Sequence, residues 1–323
     1  MYSSILNHLR RHQPRQLFYH FGSRLAVPFP VLRTCTDTVD KMNGPVDFLS
    51  RRRSAKAMLQ DSPWRQRMTR TSALASFVAD ELPGVEDVVR DCRAILVARQ
   101  DEMDELHPRT TFHKLLRNDD LRTCPSLLEF ALSAPIVHTI ADYLETVPRL
   151  HDIDLWLSPP VNDLRSSHFF HLDKPEVNFV GAFINVFDVG MDDGPLTVLP
   201  ADVSESVERE TDYHHRYMLG TDVRIDDQEM SRHTRPEDMI FLTGKAGDMN
   251  IFDTSRCFHY GSRCRSHSRV ILQFRYAPAH KLRGDENLKS DWMGEGGDPV
   301  PRYLLEGYPA AQEAIQPSSS DNV

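Results

Sequence analysis

The chain has 323 residues, 40% hydrophobic and 26% charged, with a formal net charge of −9. This is ordinary composition for a globular protein with one large core or two modest ones, and the acidic balance argues against a nucleic-acid partner. No run of 18 apolar residues occurs, so no membrane span is predicted. The five cysteines are odd in number and form no C-x-x-C pair, which argues against a disulfide framework or a cysteine-rich zinc site and fits reduced thiols.

From Met1 to Thr36 there is no acidic residue, while Arg10, Arg11, Arg15, Arg24 and Arg33 are present. That composition resembles a mitochondrial presequence, but an ordinary basic arm on a cytoplasmic protein is the preferred reading. Pro14, Pro28, Pro30 and Pro45 recur in the same stretch. Residues 1–60 are therefore predicted to be an irregular basic segment. Next, Val85, Val88, Val89, Cys92, Ile95 and Leu96 recur at the spacing of one helix face. A second helix is predicted from an N-cap at Ser133, with Pro135 in its first turn, to a stop at Pro148. Residues of about 72–147 thus read as largely helical.

The pattern changes at His151. Short apolar runs bounded by turn residues predict strands over Asp154–Leu157, His168–Leu172, Gly181–Val189, Leu196–Leu199, Met239–Leu242, Met249–Phe252 and Val270–Tyr276. Strands this short and this closely spaced suggest a sandwich, jelly roll or barrel. The segment Ala201–Pro236 is polar without clear periodicity and is predicted to be a long surface excursion over a site. The expected organisation is one domain over residues 61–280, helical over 70–150 and β over 151–280. A polar extension, 281–323, follows, with a disordered end at Pro317–Val323.

Among the 15 histidines, His171 alone heads an H-x-D tripeptide, His171-Leu172-Asp173. In a strand, side chains alternate, so His171 and Asp173 share a face with Cα atoms about 6.7 Å apart. Two histidines and one carboxylate on one face, with open positions opposite, is the facial arrangement of non-haem Fe(II) oxygenases. The best third donor is His259, which follows the turn and strand Gly247–Asp253. His267 sits in a polar Arg/Ser run and reads as loop. His168 should face away from His171, and His214-His215 should be solvated. Ten residues after His259, Arg269 opens a strand whose inner face is Arg269, Ile271, Gln273 and Arg275. A cationic inner face is costly to bury unless it meets an anion, and a dicarboxylate cosubstrate would supply one. Arg269 and Arg275 lie about 20 Å apart along the strand, so one of them at most meets that ligand, and Arg269 is preferred.

Together, His171-Leu172-Asp173, Gly194-Pro195-Leu196-Thr197-Val198-Leu199-Pro200, Gly247-Asp248 followed by His259, and Arg269 resemble the phytanoyl-CoA dioxygenase family. The resemblance spans roughly residues 70–280. It implies a mostly β fold with flanking helices: a double-stranded β-helix (jelly roll, cupin-like) with a helical N-terminal region. It also implies Fe(II) held by His171, Asp173 and His259, with 2-oxoglutarate and O₂ as cosubstrates. Arg269 would pair with the distal carboxylate of 2-oxoglutarate, with Thr197 and Ser262 as further cosubstrate contacts. The family often carries a serine two residues after the distal histidine; here Gly261 stands there and Ser262 follows. The implied reaction is hydroxylation of a small molecule, forming succinate and CO₂. Related halogenases have a small residue in place of the carboxylate, so the presence of Asp173 favours hydroxylation.

Beside this stand a metalloenzyme that does not use 2-oxoglutarate and a non-catalytic metal-binding β-helix domain. Trp156 and Ser158 are candidate pocket residues, and Lys174 and Glu176 candidate rim charges. Cys257 reads as packing that is open to self-oxidation. No feature of the sequence bears on oligomeric state or on the identity of the substrate.

Overall fold

The computed structural model describes residues 27, 29–42, 44–105, 111–117, 119–173, 178–218, 223–281 and 303–305. Its first elements correct the expectation of irregular backbone: α1 (Phe29–Met42) and α2 (Pro45–Met58) are helices. Pro30 and Pro45 start these helices rather than interrupt them. In a first turn the missing N–H has no intrahelical partner to lose. The basic arm before residue 27 and the tail Pro317–Val323 lie outside the described residues.

Helix α3 (Val85–Ala98) buries Val85, Val88, Val89, Cys92 and Ile95, the face its periodicity marks out. Helices α4 (Pro125–Ala131) and α5 (Ala134–Leu144) follow. α5 begins after Ser133, although the serine side chain makes no capping bond. It ends at Glu145, whose φ of 56° turns the chain left-handed, so Pro148 opens a strand instead of stopping a helix. By length and composition, Pro125–Leu144 is apolar enough to cross a membrane. It is, however, broken at Leu132–Ser133 and largely buried, with Leu127, Phe130, Ile136 and Ile140 in the main core.

Two short strands interrupt the stretch expected to be helical: β1 (Leu74–Phe77) and β2 (His113–Lys114). They sit at the two edges of a six-stranded sheet of order β1-β7-β4-β9-β3-β2. Its other members are β3 (Pro148–Ser158), β4 (Val180–Asn185), β7 (Met249–Asp253) and β9 (Arg269–Pro278). A three-stranded sheet of order β6-β5-β8 is formed by β5 (Leu196–Val198), β6 (Ile240–Leu242) and β8 (His259–Tyr260). Every pairing is antiparallel. The fold is thus mostly antiparallel sheet with flanking helices. β9 lies between β3 and β4, with Leu272 opposite Leu155 on one side and Ile184 on the other. Val270, Leu272, Phe274 and Tyr276 turn one face of β9 into the main core.

The segment Ala201–Pro236 is not a solvated loop. It contains α6 (Ala201–Glu210) and α7 (Tyr213–Met218). Val207, Tyr213, Val223, Ile225 and Met230 build a second core with Phe170, Leu172, Leu199, Phe258 and Tyr260. The buried face of α6 is Ala201, Ser204 and Val207. These recur at helical spacing, but the rest of the helix is polar, so the segment reads as polar as a whole.

Candidate metal centre

The expected strand His168–Leu172 does not form. Ser166–His168 is a 3₁₀ turn, and Phe170 and His171 then make isolated bridges to Ile225 and His259. The second bridge is reciprocal: the His171 N–H donates to the His259 carbonyl at 3.1 Å, and the His259 N–H donates back at 3.1 Å. Residues directly opposite in an antiparallel pair put their side chains on the same face. The two imidazoles are brought together by this backbone pairing, with ring centroids 4.4 Å apart. Asp173, two residues on at a bend, is held by its N–H, which donates to the Thr254 carbonyl at 2.9 Å.

The Asp173 carboxylate lies 3.7 Å from His171 Nε2 and 3.8 Å from His259 Nε2. One donor atom from each residue falls within 4.8 Å of the others. These separations are too long for hydrogen bonds, yet one ion with ligand distances of about 2.0–2.2 Å fits among them. The far ring nitrogens are already used. His171 Nδ1 meets the Phe169 carbonyl at 2.9 Å and His259 Nδ1 meets the Cys257 carbonyl at 3.0 Å. A carbonyl accepts only, so each Nδ1 carries the proton and each Nε2 presents a lone pair, the tautomer a metal requires. Burial, with the neighbouring His259, pushes the His171 imidazole down to about 4, so it is neutral at pH 7. Burial works against ionisation of Asp173, but the imidazoles and Arg275 hold its carboxyl below the usual range. The donor set fits a divalent transition ion.

The support beneath the triad was not legible in the sequence. Tyr213 of α7 accepts the Leu172 N–H at 3.0 Å, tying the expected surface excursion to the middle of the H-x-D segment. The turn 253–257 supplies the carbonyls that fix Asp173 and His259. Its hub is the fully buried Asp253. The Asp253 carboxylate accepts from Tyr143 Oη at 2.8 Å, from Ser255 N–H at 3.0 Å and from Ser255 Oγ at 2.5 Å. Arg256 donates to Tyr143 Oη at 2.8 Å and also reaches Glu205 of α6.

A cavity of about 220 Å³ opens beside the triad, lined by residues of both sheets. It includes all four inward residues of β9: Arg269, Ile271, Gln273 and Arg275. Arg269 is 5% exposed. Its guanidinium donates to the Gly194 carbonyl at 2.5 Å and to Ser262 Oγ at 3.1 Å. Its Nε has no hydrogen-bond partner among the described residues. No described carboxylate pairs with it, and burial pushes it down to about 10. Close approach needs two glycines. A Cβ on Gly261 would lie 3.1 Å from Arg269 Nη2, and one on Gly194, at φ +64°, would lie 2.4 Å from the Cys264 nitrogen.

Ser262 contacts Arg269 and also Ser158 Oγ, at 2.7 Å. Thr197 does not line the cavity. It is fully buried, with its hydroxyl directed to the Pro195 carbonyl at 3.5 Å. Strand register explains this: Thr197 pairs with Tyr260 while Val198 pairs with His259, so Leu196 faces the cavity and Thr197 turns away. Trp156 and Ser158 do line the cavity, as do Phe112 and Phe183, which the sequence did not mark.

Among the remaining candidates, His168 is buried and its Nδ1 accepts the Arg165 N–H at 3.0 Å, away from the triad. His267 is exposed. His214 is not solvated: it stacks on Phe29 with centroids 3.5 Å apart and pairs with Glu208. The Cys257 thiol is buried against the carbonyls of Ser72 and Ala73, burial pushes it up, and it does not line the cavity. All five cysteines are free. Lys174 and Glu176 lie outside the described residues.

No family model and no curated protein matches the chain. Among solved structures, HygX from Streptomyces hygroscopicus, with nickel and 2-oxoglutarate bound, is similar at 16% identity and a TM-score of 0.46. The match covers 71% of this chain and 95% of that one. The non-haem α-ketoglutarate-dependent carbocyclase SnoK from nogalamycin biosynthesis matches at 16% identity and a TM-score of 0.45, covering 68% and 86%. EctD from S. alaskensis with bound Fe matches at 15% identity and a TM-score of 0.47, covering 68% and 81%. Values this low leave the chemistry of this chain to be read from its own residues.

Proposed function

We propose that this chain is an Fe(II)/2-oxoglutarate-dependent oxygenase that hydroxylates a small molecule, with the two sheets forming a double-stranded β-helix of the phytanoyl-CoA dioxygenase type. One observation carries the reading: a two-histidine, one-carboxylate cluster shares a cavity with a buried arginine that has no carboxylate partner among the described residues. His171, Asp173 and His259 would hold the iron, and Arg269 would receive the distal carboxylate of 2-oxoglutarate. Bound there, iron with 2-oxoglutarate and O₂ supplies the oxidising power to hydroxylate an unactivated C–H bond, with succinate and CO₂ as co-products.

The rest is the work of this chain's residues. The Phe169 and Cys257 carbonyls hold both imidazoles in the ligating tautomer. Ser262 orients the Arg269 guanidinium, and Gly261 leaves room for it. A cation buried without an anion is unfavourable, so the same desolvation that lowers Arg269 strengthens its attraction for a dicarboxylate. Phe112, Trp156 and Phe183 keep that side of the cavity apolar and limit water around the reacting group.

The reading is tested by incubating the purified chain with Fe(II), 2-oxoglutarate and O₂ and measuring succinate. Slow substrate-free conversion is expected in the unsubstituted chain, and none in His171→Ala or His259→Ala. Succinate formation that survives His259→Ala would remove the assigned ligand set. A metal-bound chain with no 2-oxoglutarate turnover would favour a metalloenzyme of another kind.

A further inference from the structure

The cavity has a second recognition end, and its hydrogen-bonding character is one-sided. Gln273 lies on β9 directly opposite Phe183 of β4 and Asp154 of β3, with Trp156, two residues beyond Asp154 and opposite Ile271, within reach. Trp156 Nε1 donates to Gln273 Oε1 at 2.9 Å. An indole N–H only donates, so the amide oxygen is fixed toward Trp156 and the two amide N–H donors turn the other way. Gln273 Nε2 has no partner among the described residues, and Gln273 lines the cavity.

Two residues on, about 6.8 Å along the strand, Arg275 lines the same cavity. Its Nε donates to Asp152 Oδ1 at 2.7 Å and its Nη2 also meets Asp152. Nη1 has no described partner. Asp152 is further engaged by His151 Nδ1 at 2.8 Å, and Asp154 is paired with Lys114. Neither aspartate lines the cavity. This end therefore offers uncommitted donors between aromatic walls, while its two described aspartates are held in ion pairs with Arg275 and Lys114. Its local charges balance, which removes a requirement for net charge on the ligand.

We infer that Gln273, with Arg275, forms the substrate subsite, and that it selects a small molecule bearing a carbonyl or carboxylate acceptor beside an apolar body that packs between Trp156 and Phe183. The inference rests on the oxygenase reading for the reaction, but on the donor pair alone for recognition. The two carbonyl-type acceptors share one chemistry and are separated by the test. A free amine, as donor and cation, would set N–H against the Gln273 amide donors beside a guanidinium, and is the disfavoured probe.

The test is calorimetric titration of the chain loaded with nickel and 2-oxoglutarate, nickel replacing iron so that no turnover occurs. Three probes share one phenylpropyl body: 3-phenylpropanoate, 3-phenylpropanamide and 3-phenylpropylamine. The acid and the amide are expected to bind at least ~10-fold more tightly than the amine, the equivalent of one lost buried hydrogen bond. Acid over amide assigns the natural acceptor as a carboxylate, and parity assigns a carbonyl. Gln273→Leu should erase the preference and leave 2-oxoglutarate affinity unchanged. Gln273→Glu keeps an acceptor for Trp156 and should invert the order in favour of the amine. Equal binding of all three probes, no binding of acid or amide, or an unchanged preference in Gln273→Leu overturns the inference. Titrating nickel and then 2-oxoglutarate into the metal-free chain, before the probes, separates the two readings. If the preference persists where nickel and 2-oxoglutarate do not bind, the subsite stands and the oxygenase reading falls.

Discussion

The two ends of the inner face of β9 carry the same residue in opposite circumstances. Arg275 has its charge met within the protein: Asp152 takes its Nε and Nη2, Asp154 lies 3.9 Å away, and these carboxylates raise its pKa against the effect of burial. Arg269 is more deeply buried yet meets, among the described residues, only a backbone carbonyl and a hydroxyl, and burial pushes it down to about 10. A buried cation that already has its carboxylates needs no further anion. One without a described carboxylate keeps its charge unmet, which is what the proposed cosubstrate role requires. Sequence alone puts both on one face, and the difference lies in β3, where Asp152 stands opposite Arg275 while Ser158 stands opposite Arg269.

Exchanging each arginine for methionine should break this symmetry in opposite directions. Arg275→Met strands Asp152 beside Asp154 without their shared cation. It should cost about 3–5 kcal/mol of stability, as removal of one partner of a buried pair does, with 2-oxoglutarate affinity little changed in the folded fraction. Arg269→Met should weaken 2-oxoglutarate about 100-fold, roughly 2.7 kcal/mol, while stability moves by less than about 1 kcal/mol. Denaturant melts and equilibrium dialysis read both quantities. Equal stability losses would erase the distinction.

The next effect sharpens what the triad owes to its supports. Asp253→Asn replaces an acceptor-only carboxylate, which receives three bonds, with an amide that turns a donor toward one of those donors. The turn 253–257 should loosen, and Fe(II) affinity should fall about 10- to 100-fold, as for other outer-shell partners. Competition with a metal-sensitive dye measures it, and an unchanged affinity would make the Asp253 network purely structural. Tyr213→Phe leaves the buried Leu172 N–H without its acceptor, at a cost of about 1–3 kcal/mol, measured by thermal melting of the metal-free chain. The smallest effect belongs to Ser262→Ala. It removes a neutral hydroxyl from Arg269 and should weaken 2-oxoglutarate about fivefold, near 1 kcal/mol.

The legible parts of the molecule were those set by short-range pattern. The inner face of β9 follows from alternation, and the α3 face from helical spacing. His171 and Asp173 were paired on the assumption of a strand. No strand forms there: a reciprocal bridge between His171 and His259, 88 positions apart, brings the imidazoles together, and the Thr254 carbonyl holds the Asp173 N–H, neither of which a local pattern encodes. Thr197 was misplaced because β5 is three residues long, too short for its register to show. The segment Ala201–Pro236 hid Tyr213 because its first helix is polar apart from a narrow buried face of Ala201, Ser204 and Val207. The prolines of α1 and α2 read as breakers because their meaning depends on position: at a first turn the same residue begins a helix.

The central claim is that His171, Asp173 and His259 hold an iron to which 2-oxoglutarate binds under the hand of Arg269. Anaerobic addition of Fe(II) and then 2-oxoglutarate, followed by visible absorption, tests it most directly. The account predicts a charge-transfer band that appears only with both additions. The band should saturate at one equivalent of metal and vanish in His171→Ala and His259→Ala. In Arg269→Met it should need about 100-fold more 2-oxoglutarate. A chain that takes up one equivalent of Fe(II) and shows no band at saturating 2-oxoglutarate would contradict it.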